Sequence, residues 1–432
     1  MSSLTIVLLS VTILFLLGMP IFMSLAIAAA VVLIVSDLLP LAVIHNTLYD
    51  GLNIFPLLAI PSFVVAGTLM ERGNITNQII DVVKSVVGNT YGGIGITTVL
   101  ACAFFAAITG SGSATVAAVG SVLIPAMLRN GYSGVYAGSV TSTGGSLGIL
   151  IPPSNPMIIY AIICNLSVTG MFTAGFIPGF ITAGALCVTA YLLARKQGYG
   201  ADPNIPPVTL RNILSNVRRA FFSLCTVIVV LGSIYTGLAT PVEASIIAVA
   251  WALFVGSVIN RALTLKDIYD ALLDGAMICG SILLIVGTST LFGKILVYEE
   301  APTRLAAFVL EISSNKYVVL LMLIAMLYLL GMFMETLATI ILVAPVLIPV
   351  LHNLQIDPIH FGIILIMATQ VGLLTPPLGV NLFVASRLTN VSVEKLAVGV
   401  LPYIGVMTLV ILLITFIPEI ATWLPYALGY GK

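Results

Sequence analysis

Charge is what this sequence has least of. Asp, Glu, Lys and Arg make up 7% of its 432 residues, and 16 bases balance 16 acids. Soluble domains carry about 25% charge. With no basic excess there is no electrostatic footprint for nucleic acid. The five cysteines, Cys102, Cys164, Cys187, Cys225 and Cys279, stand singly inside apolar stretches. A zinc site or a disulfide framework needs clustered spacing, so they read as small core residues. Period-two alternation, the mark of membrane-barrel strands, is missing as well. The opening MSSLTIVLL has no basic n-region. No cleaved signal peptide is expected there, and the first helix is taken as its own insertion signal.

Hydrophobic residues, by contrast, make up 60% of the chain, and its mean hydropathy is +1.19. Apolar runs recur from end to end, among them Leu4–Val35, Ala220–Tyr235, Val242–Ile259, Val318–Leu330 and Ala397–Ile417. A spanning helix needs about 20 apolar residues, so roughly ten or more fit. The expectation is an all-α polytopic membrane protein with about 11 transmembrane helices. One segment, RKQGYGADPNIPPVTLRNILSNVRR at 195–219, is polar for long enough to be a loop, with five bases and one acid. The positive-inside bias places it in the cytoplasm.

That linker divides two halves that align without gaps at an offset of 224 residues. GSGSATVAAVGSVLIP at 110–125 matches METLATIILVAPVLIP at 334–349, sharing Ala114/Ala338, Thr115/Thr339 and the run ending in Pro125/Pro349. Gly138/Gly362, Gly148/Gly372, Pro152/Pro376 and Pro153/Pro377 follow in register. Apolar composition inflates chance identity, but co-registered Gly and Pro each fix backbone geometry. The same offset relates two amphipathic segments, Ile75–Val87 and Glu299–Ser314, suited to lying in the membrane interface. Each precedes a short apolar run (about Ile94–Ile108 and Tyr317–Met332) and then a polar tip. Each run with the segment after its tip is expected to form a re-entrant hairpin.

Four breaks in two matched pairs are expected: the tips TGSGSAT (109–115) and MFMETLAT (332–339), and the interruptions TSTGGSLGILIPPSNP (141–156) and TQVGLLTPPLGVN (369–381). Unwound backbone at membrane depth survives only where protein, an ion or water satisfies it. Glycines permit unusual dihedrals, while a Pro-Pro pair removes two donors and starts a new helix. Facing half-helix ends present carbonyls to cations and N–H dipoles to anions. Interrupted segments at corresponding positions of two halves point to a secondary transporter's binding site. Ser111, Ser113, Thr115, Ser142, Thr143, Thr336, Thr339 and Thr375 supply hard oxygen ligands there. Proton relays would need several buried acids or histidines. Glu335 alone sits at a tip, while His45, His352 and His360 fall near expected ends or loops. Sodium coupling is favoured over proton coupling.

The stretches GSGSATVAAVG, GGSLGILIPPSNPMIIYA, GLATPVEAS (237–245), LGMFMETLA and VGLLTPPLGVNLF closely resemble the large membrane subunit of tripartite ATP-independent periplasmic (TRAP) transporters, over essentially the whole chain. The resemblance implies a Na+-driven importer of organic acids, such as sialic acids, C4-dicarboxylates or sulfonates, in the bacterial inner membrane. It implies a small four-helix membrane partner and a periplasmic substrate-binding protein. It also implies an elevator, in which a transport domain slides past a scaffold. The chain is not expected to be a fused version, since it begins at the large subunit's first helix. The resemblance puts one Na+ between Ser111 and Ser113 of the first tip and Gly145, Gly148 and Ile149 of the first break. Its repeat mate would lie among Met334, Thr336, Thr369, Gly372 and Thr375. The anion would sit between the tips, held by Ser113, Ser154, Asn155 and Glu335. Glu335 stands where many relatives have Asp, which keeps the charge on a longer arm. The divisions expected are 1–90 and 220–315 for the scaffold, 91–195 and 316–432 for the transport segments, and 196–219 for the linker.

Blander readings compete. GSGS is also a helix-packing pattern, but packing alone does not require a matched Pro-Pro break. Glu243 looks functional, yet Thr240, Pro241 and Glu243 fit a capping box. Asp267, Asp270 and Asp274 beside Lys266 read as an interfacial face and not a metal site. An intramembrane serine protease would need a base near Ser111 or Ser113, and no histidine lies on a convincing buried helix. A stand-alone Na+/organic-anion symporter needing no soluble partner remains the alternative.

Overall fold

The computed structural model describes residues 3–36, 40, 42–199, 208–376 and 379–430. The first apolar run folds as two helices and not one, α1 (Ser3–Leu16) and α2 (Ile21–Ser36). Gly18 between them takes a φ of 76°, and Pro20 follows. A left-handed glycine followed by proline ends one helix and starts the next. Then come α3 (Ala42–Leu52), a 3-10 turn at Phe55–Leu58, α4 (Ala59–Arg72) and the amphipathic α5 (Ile75–Val87). The first half closes with α6 (Gly93–Thr109), α7 (Gly112–Arg129), α8 (Gly134–Gly145), α9 (Asn155–Ile163) and α10 (Val168–Lys196). The second half opens with α11 (Leu210–Arg219), α12 (Phe221–Tyr235), α13 (Pro241–Leu253) and α14 (Leu265–Tyr298). It continues through α15 (Ala301–Ile312), α16 (Lys316–Phe333), α17 (Thr336–Asn353), α18 (Pro358–Leu373), α19 (Val380–Thr389), α20 (Val393–Phe416) and α21 (Glu419–Ala427).

The protein is therefore all-helical, with no strand among the described residues. Among the described residues, eight helical stretches are long and apolar enough to cross a bilayer. A ninth is counted if α11 and α12, bent 67° at their joint, form one span. Three shorter apolar helices lie at Phe22–Val35, Gly93–Thr109 and Pro358–Leu373. The linker is also less of a loop than expected. Helix α10 runs to Lys196, and Thr209 caps α11, which carries Arg211, Arg218 and Arg219. Residues 200–207 of that linker, and Pro377 of the second break, lie outside the described residues.

Helix ends repeat with the sequence. Thr336 lies 224 positions after Gly112, and Asn353 lies 224 after Arg129, so α7 and α17 share both boundaries. Packing crosses between the halves: α9, the second part of the first broken helix, lies on α17, while α19 lies on α7 and α8. Each broken helix thus leans on the other repeat's helix–tip–helix unit.

A second group of contacts joins α4 to α13 and α14. The Thr68 hydroxyl donates to the Ala271 carbonyl at 3.0 Å. A Cβ on Gly275 would lie 2.7 Å from Val65 Cγ2, so glycine sets that close approach. Asp270 and Asp274 are not simply an interfacial face: Arg72 of α4 donates to Asp274 at 2.6 Å and lies 3.7 Å from Asp270. Asp267 instead closes a capping box with Thr264. The expected box at Thr240 and Glu243 is present, with Thr240 N–H donating to Glu243 Oε2 at 2.8 Å. His360 does lie near a helix end, in the first turn of α18, but it is buried there, its Nε2 2.8 Å from the Ile414 carbonyl.

Candidate functional site: two tips and two broken helices around one cavity

At the first tip, α6 ends at Thr109, Gly110 turns the chain with a φ of 59°, and Ser111 is extended before α7 begins. The first broken helix leaves α-geometry at Gly145, makes a 3-10 turn over Ser146–Ile149 and resumes at Asn155. Tip and break press together through glycines. A Cβ on Gly148 would stand 2.5 Å from the Ser111 carbonyl oxygen, and one on Gly145 would stand 2.9 Å from that of Gly112. Any side chain at these positions would force the backbones apart. Thr115 donates its hydroxyl to the Ser111 carbonyl at 2.7 Å and lies 3.1 Å from the Thr109 hydroxyl.

The second tip runs from Phe333 through extended Met334 and Glu335 into α17. Its partner, α18, ends at Leu373, and α19 begins at Val380 after Gly379, whose φ is 39°. Here the intimate pair is Gly331 and Gly372: a Cβ on Gly372 would lie 2.5 Å from Gly331 Cα. Thr369 donates its hydroxyl back to the Leu365 and Ile366 carbonyls, both at 3.0 Å. Thr375 does the same to Val371 at 2.9 Å.

Both units open on one cavity of about 560 Å³. The first residues of α7, α9, α17 and α19 all line it, so four helix N-termini converge there. Free N–H groups and helix dipoles make each such end favourable to negative charge. Among the described residues, no Lys, Arg or His lines the cavity. The facing wall comes from the other group of helices, with Gly67, Thr68 and Glu71 of α4 and Ser281 and Ile282 of α14.

Of the residues singled out in the sequence, Ser111, Ser113, Ile149, Asn155, Glu335 and Thr336 line this cavity. Gly145 and Gly148 lie behind it at the first tip–break contact, and Thr369 and Gly372 lie at the second. Met334 is buried at the second tip, away from the cavity wall. Ser154 is also set back. Its hydroxyl donates at 2.6 Å to the Ile149 carbonyl, which the helix break left without a partner.

Two amides passed over in the sequence stand out in the structure. Gln370 lines the cavity and donates from Nε2 to the Thr336 hydroxyl at 3.0 Å, joining second break to second tip. Asn381 lines it too and donates from Nδ2 to the Ser142 carbonyl at 3.3 Å, joining the two broken helices. Both fall inside the interruption TQVGLLTPPLGVN. An amide in so apolar a run was the available signal. Glu71, one residue before the end of α4, gave none.

The family model described as "Tripartite ATP-independent periplasmic transporter, DctM component" matches residues 8–420. The chain is 36% identical to the isethionate TRAP transporter permease DctMQ of Oleidesulfovibrio alaskensis, over 93% of this chain and 63% of that longer protein. It is 35% identical to the C4-dicarboxylate large permease DctM of Rhodobacter capsulatus, over 95% and 96% of the two chains. It is also 35% identical to the sialic acid large permease SiaM of Vibrio cholerae, over 96% and 97%. Among solved structures, the Alcanivorax borkumensis YdaH transporter shares the fold, with a TM-score of 0.65 at 16% identity, covering 98% of this chain and 100% of that one. With a family match across nearly its whole length, and permeases as its relatives, the chain belongs to the DctM component of the tripartite ATP-independent periplasmic transporters.

Proposed function

We propose that this chain is the large permease of a Na+-coupled importer of an organic anion across the bacterial inner membrane. The observation that carries the reading is the convergence of four helix N-termini on a cavity that no basic side chain lines among the described residues. Fixed N–H dipoles hold an anion there without a counter-charge that would have to be dragged through the bilayer. The relatives named for isethionate, C4-dicarboxylates and sialic acid give the range of cargo.

Sodium belongs at the two tip–break contacts. Ser111, Ser113, Gly145, Gly148 and Ile149 would surround the first ion, and Met334, Thr336, Thr369, Gly372 and Thr375 the second. Hydroxyl and carbonyl oxygens are the ligands a hard cation takes. An ion at each contact pins a tip to its break and so orders the N-termini that face the anion. Ser113, Asn155 and Glu335 act on the anion from within the cavity. Ser154 acts through the Ile149 carbonyl it already holds.

The units α6–α7 and α16–α17 are re-entrant hairpins in this reading. Segments 91–195 and 316–432 form a transport domain that moves against a scaffold of 1–90 and 220–315. A small four-helix membrane subunit braces that scaffold, and a periplasmic binding protein delivers the substrate.

Uptake into proteoliposomes holding the chain with its membrane partner tests this. Uptake should require both inward Na+ and the loaded binding protein. Equal uptake from K+ medium would reject sodium coupling. Uptake of free substrate at full rate would instead favour a stand-alone symporter.

A further inference from the structure

Helix α11 (Leu210–Arg219) carries an apolar stripe and a basic flank that the rest of the chain leaves open. Leu210, Ile213, Leu214 and Val217 recur at the spacing of one helix face. None of the helix's side chains is buried, and Leu210 and Leu214 are 81% and 65% exposed. Arg211, Ser215 and Arg218 run along the adjoining side, with Arg219 beyond them. The helix contains no acid. Among the described residues, none of its arginines pairs with a carboxylate; the ion pairs found there are those of Arg72.

The helix is also set at a particular depth. It meets α12 at 67°, so it lies across the axis of that span and does not extend it, the attitude of a helix resting in the membrane interface. Aromatic side chains, which favour the headgroup level, mark the joint. Phe221 and Phe222 open α12, and Trp251 of α13 donates from Nε1 to the Phe222 carbonyl at 3.2 Å. The bases gathered over 195–219 assign this level to the cytoplasmic side.

We infer that α11 is a docking surface for anionic phospholipid headgroups of the cytoplasmic leaflet. Its leucines enter the boundary of the acyl chains, while Arg211, Arg218 and Arg219 take the phosphates with their forks of N–H donors. A neutral leaflet would cover the apolar stripe and leave the arginines without matching charge. The bend and the aromatics put those arginines at phosphate depth, which favours lipid over a soluble acidic protein. The surface lies outside the central cavity, and its neighbour is the first arm. Helix α11 packs on α5, and Val208, just ahead of it, presses on Gly88 at the end of α5, where any Cβ would collide with it. Bound headgroups thus steady the arm that leads into α6 and the first tip.

The test uses the membrane complex of this chain with its small partner, in micelles of a neutral detergent. The native cysteines are replaced, and Leu214→Cys carries a polarity-sensitive fluorophore. Added phosphatidylglycerol should shift its emission to the blue, and phosphatidylcholine should not. Arg211→Gln and Arg218→Gln should each raise the half-point of the phosphatidylglycerol titration about fivefold, the share of one arginine at an anionic surface. The shift should fade at about 1 M salt, where charges are screened within a few ångströms. The same label at Leu238→Cys, in the loop between α12 and α13, should respond to neither lipid. An equal response to phosphatidylcholine would overturn recognition of charge, and an equal shift at position 238 would overturn docking at α11. Unaltered titrations in both arginine variants would do the same. Emission already at its lipid-saturated value before lipid is added would mean that the partner subunit covers this helix, which overturns lipid docking too.

Discussion

Single residues decide the site through what they omit as much as through what they supply. Gly148 has no side chain because the Ser111 carbonyl oxygen stands where a Cβ would be. Gly148→Ala should therefore push the first tip off its break. Na+-dependent uptake should fall at least tenfold while the protein still inserts, as shown by normal yield in the membrane fraction. Glu335→Gln keeps the size of the side chain and removes its charge. It should change the order of preference among acids, read as shifted half-saturation values, more than it changes folding. Much at this scale was legible: glycine and proline positions carry backbone geometry in their identity, so the tips and breaks could be marked from sequence. The amides could not be assigned so readily. Hydroxyl side chains in the tips suit a cation without further context, whereas Gln370 takes its meaning from Thr336, 34 positions away, which only the folded chain brings near. Glu71 faces the cavity because of how α4 packs, and no local pattern encodes that.

Helices show the same division between local and tertiary signals. The box at Thr240 and Glu243 was readable because capping depends on residues three apart, and the structure forms both of its hydrogen bonds. Thr240→Ala should lower unfolding stability by about 1 kcal/mol in a mixed-micelle titration, with uptake unchanged; lost transport would give this loop a part in the chemistry. Helix lengths were harder to read. A continuous apolar run says that lipid or protein surrounds it, not how many times it turns, and Gly18 with Pro20 divided the first run. The polar linker misled in the opposite sense, since α11 is helical although none of its side chains is buried. Asp270 and Asp274 read as surface because their partner, Arg72, sits in the other half of the chain.

Across the whole molecule, the cavity is bounded on one side by tips and breaks and on the other by α4 and α14. If the first set moves against the second, joining them must stop transport. Thr68→Cys and Ser113→Cys, on a background with the five native cysteines replaced, should be bridged by a bifunctional thiol reagent. Uptake should then be lost and should return when a cleavable reagent is reduced. Full uptake with the bridge intact would mean that the cavity opens without relative movement of its walls.

The crossed packing of α9 on α17 and of α19 on α7 has an assembly consequence. Neither half of the polypeptide lines the whole cavity alone, because each lends the other the arm on which its loop rests. Produced as two separate polypeptides in one cell, the halves should find each other and restore uptake. Either half made alone should be cleared by proteolysis, its lent arm having nothing to grip.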